Sequence, residues 1–544
     1  MEGRASSPVR PSGDARCSTR RSTKTRHSAK NWYDQVTVAI SSIPPESAAN
    51  QTRPHSSRRI AVWLFAAFQF FYLLTSTGRV RTPDEYNTLY TTESLVLRGS
   101  TAVPQAVQLH NFYGRYDLHG QPRAAYPPGQ ALLCTPWYAL GQYLLARLPG
   151  VPADDTDLVV AFSSSLSSAT FSALTVTLFF LLLTGIGIPA RPALLASAMV
   201  GLGTPVFAYS GWLFSEPISA AVFVGVALLL FGRGPDPITL RTASIAGLVL
   251  GLGTIVRPTN VLAIPVFAVA VLVRDGKPAL RVASALCAAS AVGVAALLSY
   301  NALLFGGPFE FGYPATAEGA KPLNKFDTPL VKGLYGFLLS PGKSVFIFGP
   351  PVILALAGLR RLWKLERGAA TVAILLPLMY LFFFARYTQW EGGYCVGPRY
   401  MVPSIVLLCF ALGPMLVEGG TRVSATQVKK IALVLLGLGA FVQCISLATS
   451  FMEDQVPRGR YYDANWTYRL GYSLTGQIHL LWRNLASDEP ARLGLGWDRW
   501  FVFLHKGGVS AATLAVFGLM MLAGLGISLA GLARNVRSAI QRLP

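Results

Sequence analysis

Residues 170–183 read TFSALTVTLFFLLL, an unbroken apolar run. The lipid-facing signal of a membrane β-barrel alternates at period two, so this run reads as helix and not as barrel strand. The rest of the chain agrees. Of 544 residues, 52% are apolar and only 13% charged, with a mean hydropathy of +0.43. A soluble domain carries about 25% charged residues, so this charge density argues against water as the solvent. A soluble enzyme, a secreted disulfide scaffold and a disordered chain are excluded together. At about 20 residues per span, the apolar content supports ten or more crossings. The fold class expected is all-α: a polytopic membrane protein with amphipathic juxtamembrane helices.

The net charge of +21 would point to nucleic acid in a soluble protein. Here it reads as the excess of Lys and Arg in cytoplasmic segments, and no nucleic-acid partner is expected. Residues 1–59 hold eleven basic and four acidic residues. Arg360, Arg361, Lys364 and Arg367 crowd one short segment, and Arg534, Arg537 and Arg542 mark the tail. Residues 81–157 hold five basic and seven acidic residues, which places them on the opposite face. The six cysteines are scattered, without the spacing of a metal site or a disulfide framework.

Residues 1–59 are polar and basic and are expected to form a disordered cytoplasmic tail. A transmembrane module over 60–450 follows, with an outer loop at 78–127. Residues 451–508 carry Trp466, Trp482, Trp497 and Trp500. Tryptophan collects at membrane interfaces, so this segment is expected to lie along the outer surface. Residues 509–544 supply a last span and a basic cytoplasmic tail. Thirteen apolar runs are candidate spans: 60–77, 129–147, 158–184, 191–210, 216–232, 241–256, 258–273, 281–305, 345–359, 369–385, 402–418, 428–450 and 509–533. Two basic termini require an even count of crossings. The weakest run is 129–147, preceded by Pro127-Pro128 and interrupted by Pro136, so the expectation is 12 or 13 spans. Loops 306–344 and 386–400 are expected to share the outer face with 78–127.

Asp84-Glu85 stands just after the first span. Pro83 suits a helix start, and a short surface helix is expected over 84–98. Acids at a helix start are favoured by its dipole. The functional alternative is a general base that takes the proton of an acceptor hydroxyl at the membrane surface. Arg257 lies inside a mostly apolar stretch, GLGTIVRPTNVLAIP, where a lipid-facing arginine is expensive. With Pro258 next to it, the chain is expected to break and turn back there. Lys343 (SPGKSVFIFGPP) and Arg399 (GGYCVGPRYMVPS) stand just ahead of other spans. Each either snorkels to headgroups or joins Arg257 in holding a phosphate. Glu216 either starts a helix or lines the site.

Taken in order, these features resemble the GT-C superfamily: a first span, an outer-face Asp84-Glu85, a Pro127-Pro128 helix start, an Arg257-Pro258 break and a late Gly397-Pro398-Arg399-Tyr400. The likeness is to the bacterial branch that includes protein O-mannosyltransferases and lipid A aminoarabinose transferases, and it covers most of 60–418. These are polytopic glycosyltransferases that use polyprenyl-phosphate sugars.

The resemblance implies Asp84 as base, with Glu85 supporting it or contacting the acceptor. It implies Arg257, with Arg399 and Lys343, on the donor phosphate. Tyr126, Glu216 and Tyr400 would line the cavity, and no metal or other cofactor is called for. The reaction implied is inverting transfer of a sugar to a hydroxyl or amine of a lipid, protein or glycan. It would take place at the outer face of the plasma (inner) membrane. A transporter or flippase of lipid-linked sugars is the competing reading. It too needs cations for a phosphate, but no carboxylate pair on an ordered surface helix.

Overall fold

The computed structural model describes residues 54–145, 156–313, 325–418, 423–448 and 499–541, apart from positions 79, 111, 394 and 507, together with the single residues 478 and 482. Most of the 1–59 tail and most of 451–508 lie outside the described residues, as does the end of the chain beyond 541. Each of the thirteen apolar runs contains helix. In chain order, with the surface helix included, they are α1 (Pro54–Thr75), α2 (Pro83–Arg98), α3 (Gly129–Leu145), α4 (Thr156–Gly185), α5 (Ala190–Gly203), α6 (Glu216–Phe231) and α7 (Leu240–Val256). There follow α8 (Ala263–Asp275), α9 (Leu280–Phe305), α10 (Pro351–Leu365), α11 (Arg367–Arg386), α12 (Arg399–Val417, with 3-10 turns), α13 (Ala425–Ala448) and α14 (Ala511–Gln541).

Among the described residues, seven helices are long and apolar enough to cross a membrane by themselves. The helices α5, α6 and α7 are apolar but shorter. The chain is thus a multi-pass, all-helical membrane protein. The doubtful run at 129–147 is an unbroken helix that carries Pro136 within it. The first helix starts at Pro54, inside the segment expected to be tail.

Two packing details position the site. Gly247 and Gly251 of α7 face α9 so closely that a Cβ at either would collide with the carbonyl of Leu286 or Ser290. In lipid no hydrophobic force drives helices together, and small residues that let backbones approach supply the packing instead. Helix α7 then ends at Val256. Arg257 is extended (φ −150°, ψ 115°), and a 3-10 turn at Pro258–Leu262 leads into α8. Pro258 has no N–H to continue a helix. The two helices fold back on each other, because the Ile238 N–H ahead of α7 donates to the Asp275 carboxylate at the end of α8. Arg257 therefore sits at the apex of a helical hairpin.

Helix α2 begins with a capping box. Thr82 Oγ1 accepts from the Glu85 N–H, and Glu85 Oε2 accepts from the Thr82 N–H. This pairing satisfies two backbone donors at the helix start. It fixes Asp84 in the first turn. A small antiparallel hairpin follows, β1 (Gly114–Tyr116) and β2 (Pro122–Ala124). Its tip is held by Asp117, which accepts from the His119 and Gln121 N–H groups and from Arg123 Nε.

Candidate active site

The N-terminal end of α2, the hairpin, the apex at Arg257 and the loops at 309–313 and 383–400 surround one cavity of about 850 Å³. Two loops expected on one face, 306–344 and 386–400, both contribute to it. Asp84 is part of its lining. One carboxylate oxygen accepts from the Tyr126 hydroxyl at 2.6 Å, and the other accepts from Arg399 at 2.5 Å. Burial, and after it the charge of Asp84, pushes the Tyr126 phenol well above its ordinary range. Tyr126 therefore stays protonated and keeps donating. A Cβ at Gly129 would strike the carbonyl of Ile255, so the Tyr126-Pro127-Pro128 segment is locked against the end of α7.

The two arginines meet on one carboxylate. Glu216 Oε1, from the first turn of α6, accepts from Arg257 at 2.5 Å and from Arg399 Nε at 2.8 Å. The Arg257 Nε also donates to Thr259. Each guanidinium lies over aromatic rings: Arg399 over Phe214 at 3.8 Å, and Arg257 over Tyr400 at 5.1 Å. Rings of this kind attract a cation and hold a guanidinium plane in place. The Glu216 side chain is sealed from solvent while that of Asp84 is 22% exposed. So Glu216 stands behind the arginines and fixes them, whereas Asp84 faces the space a substrate would enter.

The cavity lining includes Asp84, Tyr126, Arg257, Arg399 and Tyr400. Three other sequence candidates are absent from it. Glu216 is one, for the reason just given. Glu85, next to Asp84, points into the protein and is fully buried. Its carboxylate accepts from the N–H groups of Arg81, Thr82 and Leu213. Burial, opposed by the charge of Arg81 and these bonds, raises its pKa. Lys343 is fully buried as well, and its ammonium donates to the Cys395 carbonyl at 2.9 Å. It braces the loop that carries Arg399 and does not reach the cavity.

Residues outside the sequence candidates complete the lining. Tyr113 and Arg115 come from the hairpin, Tyr313 from the segment after α9, and Phe384 and Tyr387 from the end of α11. Tyr313 meets Tyr126 edge-on, and its phenol is pushed up to about 12 by burial and then by Asp84. Glu310 and Glu391 add two further carboxyls: Glu310 pairs with Arg115, and burial raises the pKa of Glu391. The wall is thus rich in tyrosine, which offers both a flat apolar face and a hydroxyl. Among the described residues no group of three or more His, Cys, Asp or Glu is arranged to hold a metal ion.

No protein-family model matches the sequence, and no curated relative matches it. Among solved structures, the chain is similar to ArnT from Cupriavidus metallidurans bound to undecaprenyl phosphate, at 16% identity and a TM-score of 0.45 over 88% of this chain and 76% of that one. It is also similar to the same organism's ArnT in the apo state, at 14% identity and a TM-score of 0.47 over 87% and 77%.

Proposed function

We propose that the chain is a membrane glycosyltransferase that moves a sugar from a polyprenyl-phosphate donor to an acceptor hydroxyl or amine. The observation that carries this reading is the convergence of Asp84, Arg257 and Arg399 in a single cavity at helix ends, where Arg115 is taken up by Glu310. Arg257 and Arg399 suit the donor phosphate, since a guanidinium can meet a phosphate with two parallel N–H bonds. Asp84 takes the acceptor proton as the acceptor attacks the anomeric carbon from the face opposite the phosphate. Negative charge then grows on the leaving polyprenyl phosphate. The arginines, already oriented by Glu216, stabilise that charge without reorganising. The tyrosine-rich wall suits a sugar ring, and the lipid tail remains in the bilayer.

The same helices bear on the side of the membrane. Helix α7 has 17 residues and spans about 25 Å. The cavity lies at its C-terminal end. At the other end lie the loops near Glu366, with Arg360, Arg361, Lys364 and Arg367 close by in sequence. Basic loops stay in the cytoplasm, which supports a cavity on the outer face. A cysteine at position 84 is expected to react with an impermeant thiol reagent in intact cells. Labelling only after permeabilisation contradicts the outer face.

The reaction is tested with the purified full chain in lipid nanodiscs and a panel of radiolabelled polyprenyl-phosphate sugars. The expected result is time-dependent loss of label from one donor, dependent on enzyme and stimulated by acceptor. Movement of intact donor across a sealed vesicle, with no sugar released from any member of the panel, would instead establish a transporter.

A further inference from the structure

Arg399 is the point where the base and the phosphate site touch. Its guanidinium holds Glu216 through Nε and Asp84 through a terminal nitrogen, which also reaches the Gly392 carbonyl. The face of the guanidinium is covered by Phe214. Few directions are left from which a phosphate can approach it. Arg399 and Asp84 both line the cavity, so a phosphate that enters it meets the guanidinium beside the Asp84 carboxylate. Glu216 cannot yield, because it is sealed and shared with Arg257. Asp84 can yield, because it is partly exposed and keeps a second partner in Tyr126.

Charge leads to the same result. Asp84, Glu216, Arg257 and Arg399 form a neutral set of two acids and two bases. A phosphodiester brings one further negative charge into it. Two anions on one guanidinium repel each other, and at short range in a partly buried site this repulsion is substantial. We infer that the Asp84 carboxylate and the donor phosphate are alternative partners of Arg399, so that donor binding is the step that releases Asp84 to act as base. This deepens, and rests on, the reading of the cavity as a site for a phosphate-linked sugar. Nothing is consumed in the exchange: one ion pair breaks as another forms, and Asp84 stays tethered to Tyr126. It makes binding ordered, donor before acceptor. It also keeps the carboxylate occupied until there is a sugar to transfer.

The test is binding of polyprenyl phosphate to the full chain in nanodiscs, with the matching polyprenol and inorganic phosphate as the other probes. Removal of a competing anion should tighten binding. Asp84→Asn is therefore expected to bind polyprenyl phosphate roughly ten-fold more tightly than wild type, the scale of one charge interaction at intermediate dielectric. Polyprenol affinity should not change. A parallel gain for inorganic phosphate would assign the effect to the phosphate group, and a gain for the lipid alone would assign it to the phosphate seated by its tail. Either supports the exchange.

The double-mutant cycle gives the second readout. With Arg399→Gln in place, Asp84→Asn should bring no gain, because the shared partner is gone. A merely structural role for Asp84 would not produce that coupling. Unchanged or weaker phosphate binding by a well-folded Asp84→Asn overturns the inference, as does a gain that persists without Arg399. The reading of function fails separately. If Asp84→Asn gains affinity and still transfers sugar at the normal rate, the exchange stands and the base assignment falls. If it loses transfer without gaining affinity, the base stands and the exchange falls.

Discussion

Two clusters of buried charge stand at opposite ends of the α7–α8 hairpin. At one end Arg257, Arg399, Glu216 and Asp84 meet. At the other, Arg274 donates to both oxygens of Glu366, to Asp275, and to the carbonyls of Gly234 and Asp236. Both are arginine–carboxylate networks in an apolar protein. The difference lies in how each arginine is satisfied. Arg274 is wrapped by carboxylates and loop carbonyls, and Glu366 in turn caps α11 through the Gly368 N–H. It joins three loops and is not part of the cavity lining at the other end. The first cluster opens onto about 850 Å³, and one of its carboxylates, Asp84, is partly exposed there. On the proposed reading the closed network serves the fold, while the open one serves chemistry.

That contrast can be broken experimentally. Among the arginines the largest effect is expected for Arg399→Gln, which removes the link between Asp84 and Glu216. Loss of one oriented donor to a developing charge commonly lowers turnover by about 10²–10³, and this is the expected loss in sugar release. Arg274→Ala should behave in the opposite way. It strands Glu366 and Asp275, and breaking a buried pair typically costs about 3–5 kcal/mol. Thermal unfolding should fall markedly, while turnover per folded molecule stays close to wild type. A catalytic defect in folded Arg274→Ala would erase the distinction between the clusters.

Smaller effects sharpen it. Arg257→Ala should weaken donor binding and slow the chemical step, because the charge it meets grows as the bond breaks. Arg257→Lys keeps the charge but not the bidentate geometry, and should retain about a tenth of wild-type turnover. Acceptor dependence should be unchanged in both, which steady-state kinetics in each substrate will show.

The least effect is expected at the hairpin. Burial alone would raise the Asp117 carboxyl, but the Gln121 N–H, Arg123 and the His119 N–H outweigh it and hold the group below its ordinary range. A depressed carboxylate stabilises the folded state above its unfolded pKa, about 3.9. That contribution fades as pH falls through the lower folded value. Asp117→Asn should therefore melt slightly earlier than wild type at pH 7, and the gap should close below about pH 4. A gap that widens on acidification contradicts this assignment.

Much of the architecture was legible in the sequence because apolar runs are local signals. All thirteen runs hold helix, and α2 starts within a residue of the position that Pro83 and Asp84 indicate. The break at Arg257 was legible locally too, since Pro258 has no N–H to continue the helix, although Pro136 is accommodated within α3. The division of labour within Asp84-Glu85 was only partly legible. Thr82 stands three residues before Glu85, which is a capping-box spacing, and it marks Glu85 as the structural member of the pair. Lys343 and Arg399 look alike in sequence, each beside glycine and proline just ahead of a span. Only tertiary packing separates them, by turning Lys343 onto the Cys395 carbonyl. Tyr113, Tyr313 and Tyr387 lie far apart in the chain, and no local pattern announces that they share a wall. Glu216 was legible as an acid between two spans, but its service to two arginines from different helices was not.

The most direct test of the account is single-turnover discharge of a radiolabelled polyprenyl-phosphate sugar by wild type, Arg274→Ala and Asp84→Asn, each at saturating donor and equal folded concentration. Similar discharge is expected of the first two and a rate lower by about 10²–10⁴ of the third, the usual worth of a general base. Discharge by Asp84→Asn within three-fold of wild type would contradict it.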